Sequence, residues 1–346
     1  EKNIDLHVEC LKWGNTPWML DGESDSLVKE IMKRSRKLEP PYDVTFQLQL
    51  PDEWNPEIGK FNVGMSAFVE KQKCNPKWVD ACNKMDLVLV PSTFTKNVVK
   101  RSGVLSTPIK VVQEWFNDNI EDDLSPLELE EVETTKNYLI VSVLTAMNPK
   151  DDRKNLIKTL EWIFDYHKND EDVGIVLKTS LGRGSKRDLI QTDQYLKDLV
   201  KAIRKGPGPR LYLLHGNMRS REIAKLYQNK KIKCLVSATR GEGYGLPLIE
   251  AAASGLPIIA TNWSGHLEFL KAGNFLPIDY NLEEISKRKV DNRIFLEGFK
   301  WAEPKKESFF DCLDTIDKEY EKVLATAEEL SIEIKEKFCK QSIKKV

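Results

Sequence analysis

Two glutamates, Glu242 and Glu250, stand eight positions apart in a stretch that also holds Gly241, Gly243 and Gly245. A strand-like run over 232–237 leads into it, Pro247 sits where a helix would begin, and Gly255 and Pro257 end that helix. Glycines between the carboxyl end of a strand and the amino end of a helix let backbone approach a ligand. The free N–H groups and the helix dipole there favour an anion such as a diphosphate. A carboxylate would repel that anion, so each glutamate is expected to accept hydrogen bonds from hydroxyls on either side of it. A ligand with a central diphosphate and hydroxyl-rich rings at both ends is a nucleotide-sugar. Taken singly, Glu242 is an ordinary loop acid and Glu250 a first-turn acid favoured by the helix dipole. The glycines join the two into one site.

Basic residues are needed beside a diphosphate. Lys154, in Arg153-Lys154-Asn155, follows a strand pattern over 138–143 and precedes a helical pattern over 155–166. That places it at a strand's carboxyl end, where open α/β sheets bind ligands. Lys178 ends a strand pattern over 173–178; Arg183, Lys186 and Arg187, around Gly182 and Gly184, read as a solvated turn. His215 reads as structural. Asp170 and Asp172 precede their strand, the wrong end for a cation bound to diphosphate, and read as a turn. No metal site and no cofactor are expected, since the four His and six Cys lack ligand spacing. The scattered cysteines fit reduced thiols in a cytoplasmic protein.

Strand and helix patterns alternate in both halves. Strands are expected at 4–8, 44–50, 61–68, 86–90 and 109–112, with helices at 26–37, 77–84 and 93–101. After an acidic stretch free of basic residues (118–133), strands recur at 138–143, 173–178, 210–215, 232–237 and 257–261. Helices recur at 155–166, 192–204, 220–228 and 247–254 and from about 308 onward. The fold class is α/β, with two Rossmann-like doubly wound domains facing each other. The 346 residues are too many for one core, and 53 basic against 54 acidic residues disfavour a basic nucleic-acid binder. No apolar run is long enough to span a membrane.

Gly241-Glu242-Gly243-Tyr244-Gly245-Leu246-Pro247-Leu248-Ile249-Glu250-Ala251, followed by Ser254-Gly255-Leu256-Pro257-Ile258-Ile259-Ala260-Thr261, resembles the E-x7-E signature of the retaining GT-B glycosyltransferases of family four. Asn262-Trp263-Ser264-Gly265-His266-Leu267-Glu268 resembles the loop after it, and Trp301-Ala302-Glu303-Pro304 a later element. Ala67-Phe68-Val69-Glu70, Asp86-Leu87-Val88-Leu89-Val90-Pro91-Ser92 and Ser102-Gly103-Val104 resemble the acceptor-side domain. The resemblance implies that Glu250 holds ribose hydroxyls and Glu242 the donor sugar. Backbone around Gly243, Tyr244, Gly245 and Leu246 would hold the distal phosphate and sugar, with Met218 near the base. Lys154 matches the family's diphosphate lysine, but Asn148 stands where an arginine is usual, leaving Arg153, Lys150 and Lys178 as candidates for the second charge. Glu70 either faces the acceptor or has a surface or capping role.

The expected organisation is an acceptor-side domain over 1–117 whose first strand–loop–helix unit is missing, an acidic linker over 118–136, a donor domain over 137–335 and a helical tail over 336–346. The expected activity is metal-independent transfer of a sugar, with retention, to an acceptor hydroxyl on a glycan, lipid-linked sugar, protein or modified base. The alternatives are a non-catalytic nucleotide-sugar-binding protein and a nucleotide-sugar epimerase.

Overall fold

The computed structural model describes residues 4–11, 26–35, 42–68, 70–122, 125, 127–144, 146–182 and 184–345. Helix α1 (Ser26–Arg34) precedes a sheet of four parallel strands: β1 (Tyr42–Leu48), β2 (Gly59–Met65), β3 (Leu87–Val90) and β4 (Ile109–Val111). Helices α2 (Pro76–Cys82) and α3 (Thr93–Ser102) connect the last three strands. Each helix starts on a side-chain cap: Asn75 accepts from Lys77 N, and Ser92 from Thr95 N. Trp78, Val79, Cys82, Val98 and Val99 pack with Val88 and Val90 in the first core.

Two expectations change in this half, and β1 presents a face that its pattern does not specify. Residues 4–8 form no strand; Val8 N instead donates to Arg34 O at the end of α1. Among the described residues no strand pairs with them, and an extended segment without a ladder has little to hold it. Strand β2 stops at Met65, and Phe68 takes a positive φ of 57°. Strand β1 alternates, but the apolar set faces outward: Val44, Phe46 and Leu48 are 62%, 57% and 66% exposed. Thr45 and Gln47 point inward and bond to Asn62 and to the Asn55 backbone. The expected absence of a first strand–loop–helix unit concerns residues 1–25, most of which lie outside the described residues.

The second sheet holds β5 (Lys136–Val141), β6 (Val173–Thr179), β7 (Arg210–His215), β8 (Ile232–Ser237), β9 (Ile258–Thr261) and β10 (Leu276–Ile278). Its order is β10-β9-β8-β5-β6-β7, all parallel. The order reverses between β8 and β5, so the loops leaving those two strands border the switch point of a doubly wound sheet. Strand β6 is a nearly unbroken apolar run, as a strand covered on both faces must be. Helices α4 (Leu156–Tyr166) and α5 (Lys186–Ile203) cover one face. Helices α6 (Ser220–Tyr227) and α7 (Leu246–Ala253) cover the other. Lys186 and Arg187 therefore open a helix capped by Ser185, rather than a free turn.

Short helix α8 (Leu267–Leu270) follows β9, and an antiparallel pair, β11 (Tyr280–Glu284) and β12 (Lys300–Pro304), follows β10. Helix α9 (Lys306–Lys337) bends at Glu319, whose φ and ψ are −125° and 29°. Phe309 and Leu313, before the bend, pack on one face of the sheet; Leu330 and Ile334, beyond it, pack on the other. Helix α10 (Lys340–Ile343) completes the described fold. The acidic stretch is not merely a solvated loop: Ile120, Leu129 and Val132 are buried in the second sheet's core beside α6. Its acids alternate with these apolar anchors, which is why composition alone made it look like a linker.

The β11–β12 segment also clasps the first domain. Asn75 Nδ2 donates to Arg293 O at 3.0 Å, and Arg293 pairs with Asp52 and Glu53 at 2.6 and 2.7 Å. Lys71 is wholly buried among the rings of Trp78, Phe295 and Phe299, 5.0–5.7 Å from their centres. Burial pulls its ammonium down to about 8. Among the described residues, no helix is long and apolar enough to cross a membrane.

Arg240 ties the second domain's loops together. Its side chain is 1% exposed and pairs with Glu303 at 2.7 Å; Nη1 donates to the carbonyls of Pro149 and Asp152, both at 2.6 Å. Its guanidinium lies over the Trp301 ring. Replacing it with leucine strands these acceptors, and the expected cost is on the order of 3–5 kcal/mol. Urea unfolding of Arg240→Leu checks this; an unchanged midpoint would show that the tie contributes nothing.

Candidate active site

The glycine loop runs from the carboxyl end of β8 to the start of α7. Gly245 there has a φ of +100°, a left-handed conformation that favours glycine, and a Cβ would lie 3.1 Å from His266. The other two glycines face a partner the sequence did not suggest. A Cβ on Gly241 would fall 2.9 Å from Glu70 Cβ, and one on Gly243 only 2.7 Å from Ala67 Cβ. Their bareness lets Ala67 and Glu70 of the first domain close onto the second domain. Ser92 Oγ completes this seam by donating to Gly243 O at 2.9 Å.

Glu242 is buried at this seam. Lys154 Nζ reaches both its oxygens, at 2.7 and 2.8 Å, and Thr239 Oγ1 donates at 2.9 Å. Burial alone would raise the carboxyl's pKa; Lys154 and Arg153 outweigh it and hold it down to about 2. Arg153 turns between the domains: Nε lies 3.2 Å from Glu70 Oε2, and Nη1 donates to Gly241 O at 2.6 Å and lies 3.5 Å from Glu242. The structure thus joins Glu70, Arg153, Glu242 and Lys154 in a row of alternating charge across the two domains. Glu70 contacts Arg153 there.

Glu250 forms a second group. It lies in the second turn of α7, not the first, because the helix begins at Leu246. Burial pushes its carboxyl up to about 7, against the pull of the Tyr227 hydroxyl and Lys178. Lys178, at the end of β6, is itself lowered by burial, with Glu250 opposing. A small cavity of about 20 Å³ lies at the carboxyl ends of β5 and β8, lined by Ser142, Lys154, Thr159, Glu242 and Pro247 among others. Tyr244 points into the core against Phe269, while Leu246 is exposed. Met218 follows β7 and packs against the core beside α6. His215 bonds to Asp188 at 2.7 Å, a structural role. Asp170 and Asp172 engage Lys136 and Thr135 at the opposite end of β6.

Two residues were overlooked. By sequence Arg240 is only a loop residue before Gly241, yet it holds the 149–153 backbone that carries Arg153 and Lys154. His266 is buried: Nε2 lies 2.7 Å from Thr261 O, and Nδ1 lies 3.4 Å from Ser264 Oγ, which accepts Glu242 N–H at 2.8 Å. Burial lowers its pKa, which favours the neutral ring. A single His beside Gly265 carried no spacing signal that could have revealed this.

Residues 193–289 match the family model described as glycosyl transferases group 1, a span that includes Glu242 and Glu250. No curated protein sequence matches the chain significantly. Among solved structures, sucrose-phosphate synthase from Thermosynechococcus elongatus is 13% identical, with a TM-score of 0.57 over 87% of this chain and 71% of that one. The HepE protein of Anabaena, in complex with UDP and glucose, is 13% identical, with a TM-score of 0.54 over 82% and 70%. Trehalose-6-phosphate synthase, studied for glycosyltransfer with retention, is 11% identical, with a TM-score of 0.56 over 92% and 77%.

The fold is GT-B.

Within that fold the Glu242–Lys154 pair makes a prediction about acid. Because Glu242's folded pKa is depressed, its stabilisation is present above about 4.5 and is lost as pH falls towards about 2. Lys154→Met removes the main cation. The melting-temperature gap between parent and variant should therefore narrow as pH drops from 5 to 2. A gap that stays constant would mean the ion pair contributes nothing to stability.

Proposed function

We propose that this chain transfers a sugar from a nucleotide-sugar to an acceptor hydroxyl, with retention of configuration and without a bound metal. The observation that carries this reading is the placement of two carboxylate–lysine groups, Glu242 with Lys154 and Glu250 with Lys178, at the carboxyl ends of β5, β6 and β8. The group 1 match over the same loop and the UDP and glucose bound to HepE support a nucleotide-sugar donor. The retention studied in trehalose-6-phosphate synthase supports the stereochemistry.

In this reading Glu250 accepts from the ribose hydroxyls and Glu242 from the donor sugar. Lys154 stabilises the departing diphosphate, helped by Lys178 and by backbone N–H groups at 243–246. Met218 lies on the base side. Arg153, held by Glu70 and Gly241 O, fixes the seam and biases the field; Glu70 reaches the acceptor only by leaving Arg153. The acceptor oxygen attacks the anomeric carbon on the face from which the diphosphate leaves. One carbon–oxygen bond forms as the other breaks, and the acceptor's proton passes to the leaving phosphate oxygen. The protein contributes position and charge rather than a nucleophile. The free cysteines fit a cytoplasmic setting.

Thermal-shift titration with UDP, GDP and ADP, followed by an assay for released nucleoside diphosphate, tests this function; binding without release would favour the non-catalytic reading. The Glu250 carboxyl must be ionised to accept two hydroxyls, and its pKa is about 7. Nucleotide affinity should therefore rise as pH increases from 6 to 8. Glu250→Gln should flatten that rise and cost on the order of 1.5–3 kcal/mol. Calorimetry at several pH values reads both effects, and equal pH slopes in the two proteins would remove Glu250 from the site.

Sugar transfer should also persist in excess chelator. Loss of turnover with chelator, restored by magnesium or manganese, would contradict the metal-free mechanism.

A further inference from the structure

On the β9 side of the glycine loop the two domains border an open groove of about 510 Å³, within the size range of small-molecule sites. The first domain contributes Thr93 and Phe94 from the start of α3. The second contributes Asn262, Trp263, Glu268, Lys271 and Tyr280. We propose that this groove binds a carbohydrate ring of the acceptor. The inference rests on the transferase reading and adds to it the acceptor's chemical class and place.

The chemistry of the lining carries the argument. Phe94 and Tyr280, both partly exposed, flank the buried Trp263, with ring centres 5.0 and 6.2 Å from it, so the groove presents aromatic edges at two points over an aromatic floor. Among the described residues, the Asn262 amide has no side-chain hydrogen bond and the Lys271 ammonium no ion-pair partner. Glu268 accepts from Thr93 N at 2.9 Å, Thr93 Oγ1 at 3.1 Å and Gln113 Nε2 at 3.2 Å, which leaves room for one more donor. Aromatic surface beside an open amide, an ammonium and a partly filled carboxylate suits a sugar. One face of a sugar ring is apolar C–H, and its edge carries hydroxyls that both donate and accept. An alkyl chain would leave those polar groups unmatched.

The groove also borders the reactive loop. Ser264, in its wall, accepts Glu242 N–H, and Gly265 N donates to Glu242 O at 2.8 Å. Trp263 packs against Gly241. A sugar seated here lies one residue layer from the Glu242 backbone and touches both domains.

Saturation-transfer NMR on the whole chain, using methyl glycosides of glucose, galactose, mannose and N-acetylglucosamine, tests the assignment. UDP, GDP and ADP binding is measured in parallel. At least one glycoside should bind, and Asn262→Ala, Lys271→Ala and Tyr280→Leu should each weaken it by roughly fivefold or more. The same variants should leave nucleotide affinity within about twofold. Glycoside signals indifferent to all three changes, or no glycoside signal from a chain that binds nucleotide, would overturn the groove assignment and spare the donor reading. Glycoside binding that responds to the variants, in a chain that binds none of the nucleotides, would do the reverse. Absence of both would end both.

Discussion

A buried carboxylate must be compensated, and Glu242 is buried where two domains meet. Its partners explain much of the surrounding architecture. Lys154 neutralises it from the loop after β5. Arg153, the preceding residue, turns the other way and reaches Glu70 of the first domain. Removing either cation leaves a desolvated negative charge, so the loop after β5, the glycine loop and Glu70 are constrained together. Gly241 and Gly243 make that constraint sterically possible, because a side chain at either would push the first domain away.

Behind this row of charges stands a support that is not exposed to any ligand. Arg240 binds the carbonyls of Pro149 and Asp152 and the Glu303 carboxylate, and its own backbone bonds to Arg153 O and Ala302 N. Asp152 in turn accepts from Lys154 N and Leu156 N. Lys154 is thus aimed from both sides, by a capped helix start and by a buried guanidinium. His266 and Ser264 perform the same service for the backbone of Glu242. Positioning of this kind is what the proposed transfer, which uses no side-chain nucleophile, requires.

Much of the second domain was legible in the sequence because its signals were local. The apolar run of β6, the Pro247 and Gly255 punctuation of α7 and the spacing of Glu242 and Glu250 each report on their own neighbourhood. The E-x7-E resemblance pointed to the fold that the structure shows. What escaped was set by distant contacts. Gly241 and Gly243 look like ligand-facing glycines until Glu70 and Ala67 arrive. Arg240 looks like a loop residue until Glu303, sixty-three positions on, pairs with it. The exposed apolar face of β1 and the buried anchors of the acidic stretch were not legible for a related reason: alternation and composition reveal a pattern, but not which side the rest of the protein will cover.

The central claim is that a nucleoside diphosphate binds at the carboxyl ends of β5, β6 and β8. Hydrogen–deuterium exchange of the whole chain, with and without saturating UDP, GDP or ADP, addresses it most directly. Slowed exchange is expected over 150–156, 176–182 and 241–250, with 42–65 unchanged. Nucleotide binding that protects the first sheet and leaves the glycine loop untouched would contradict it.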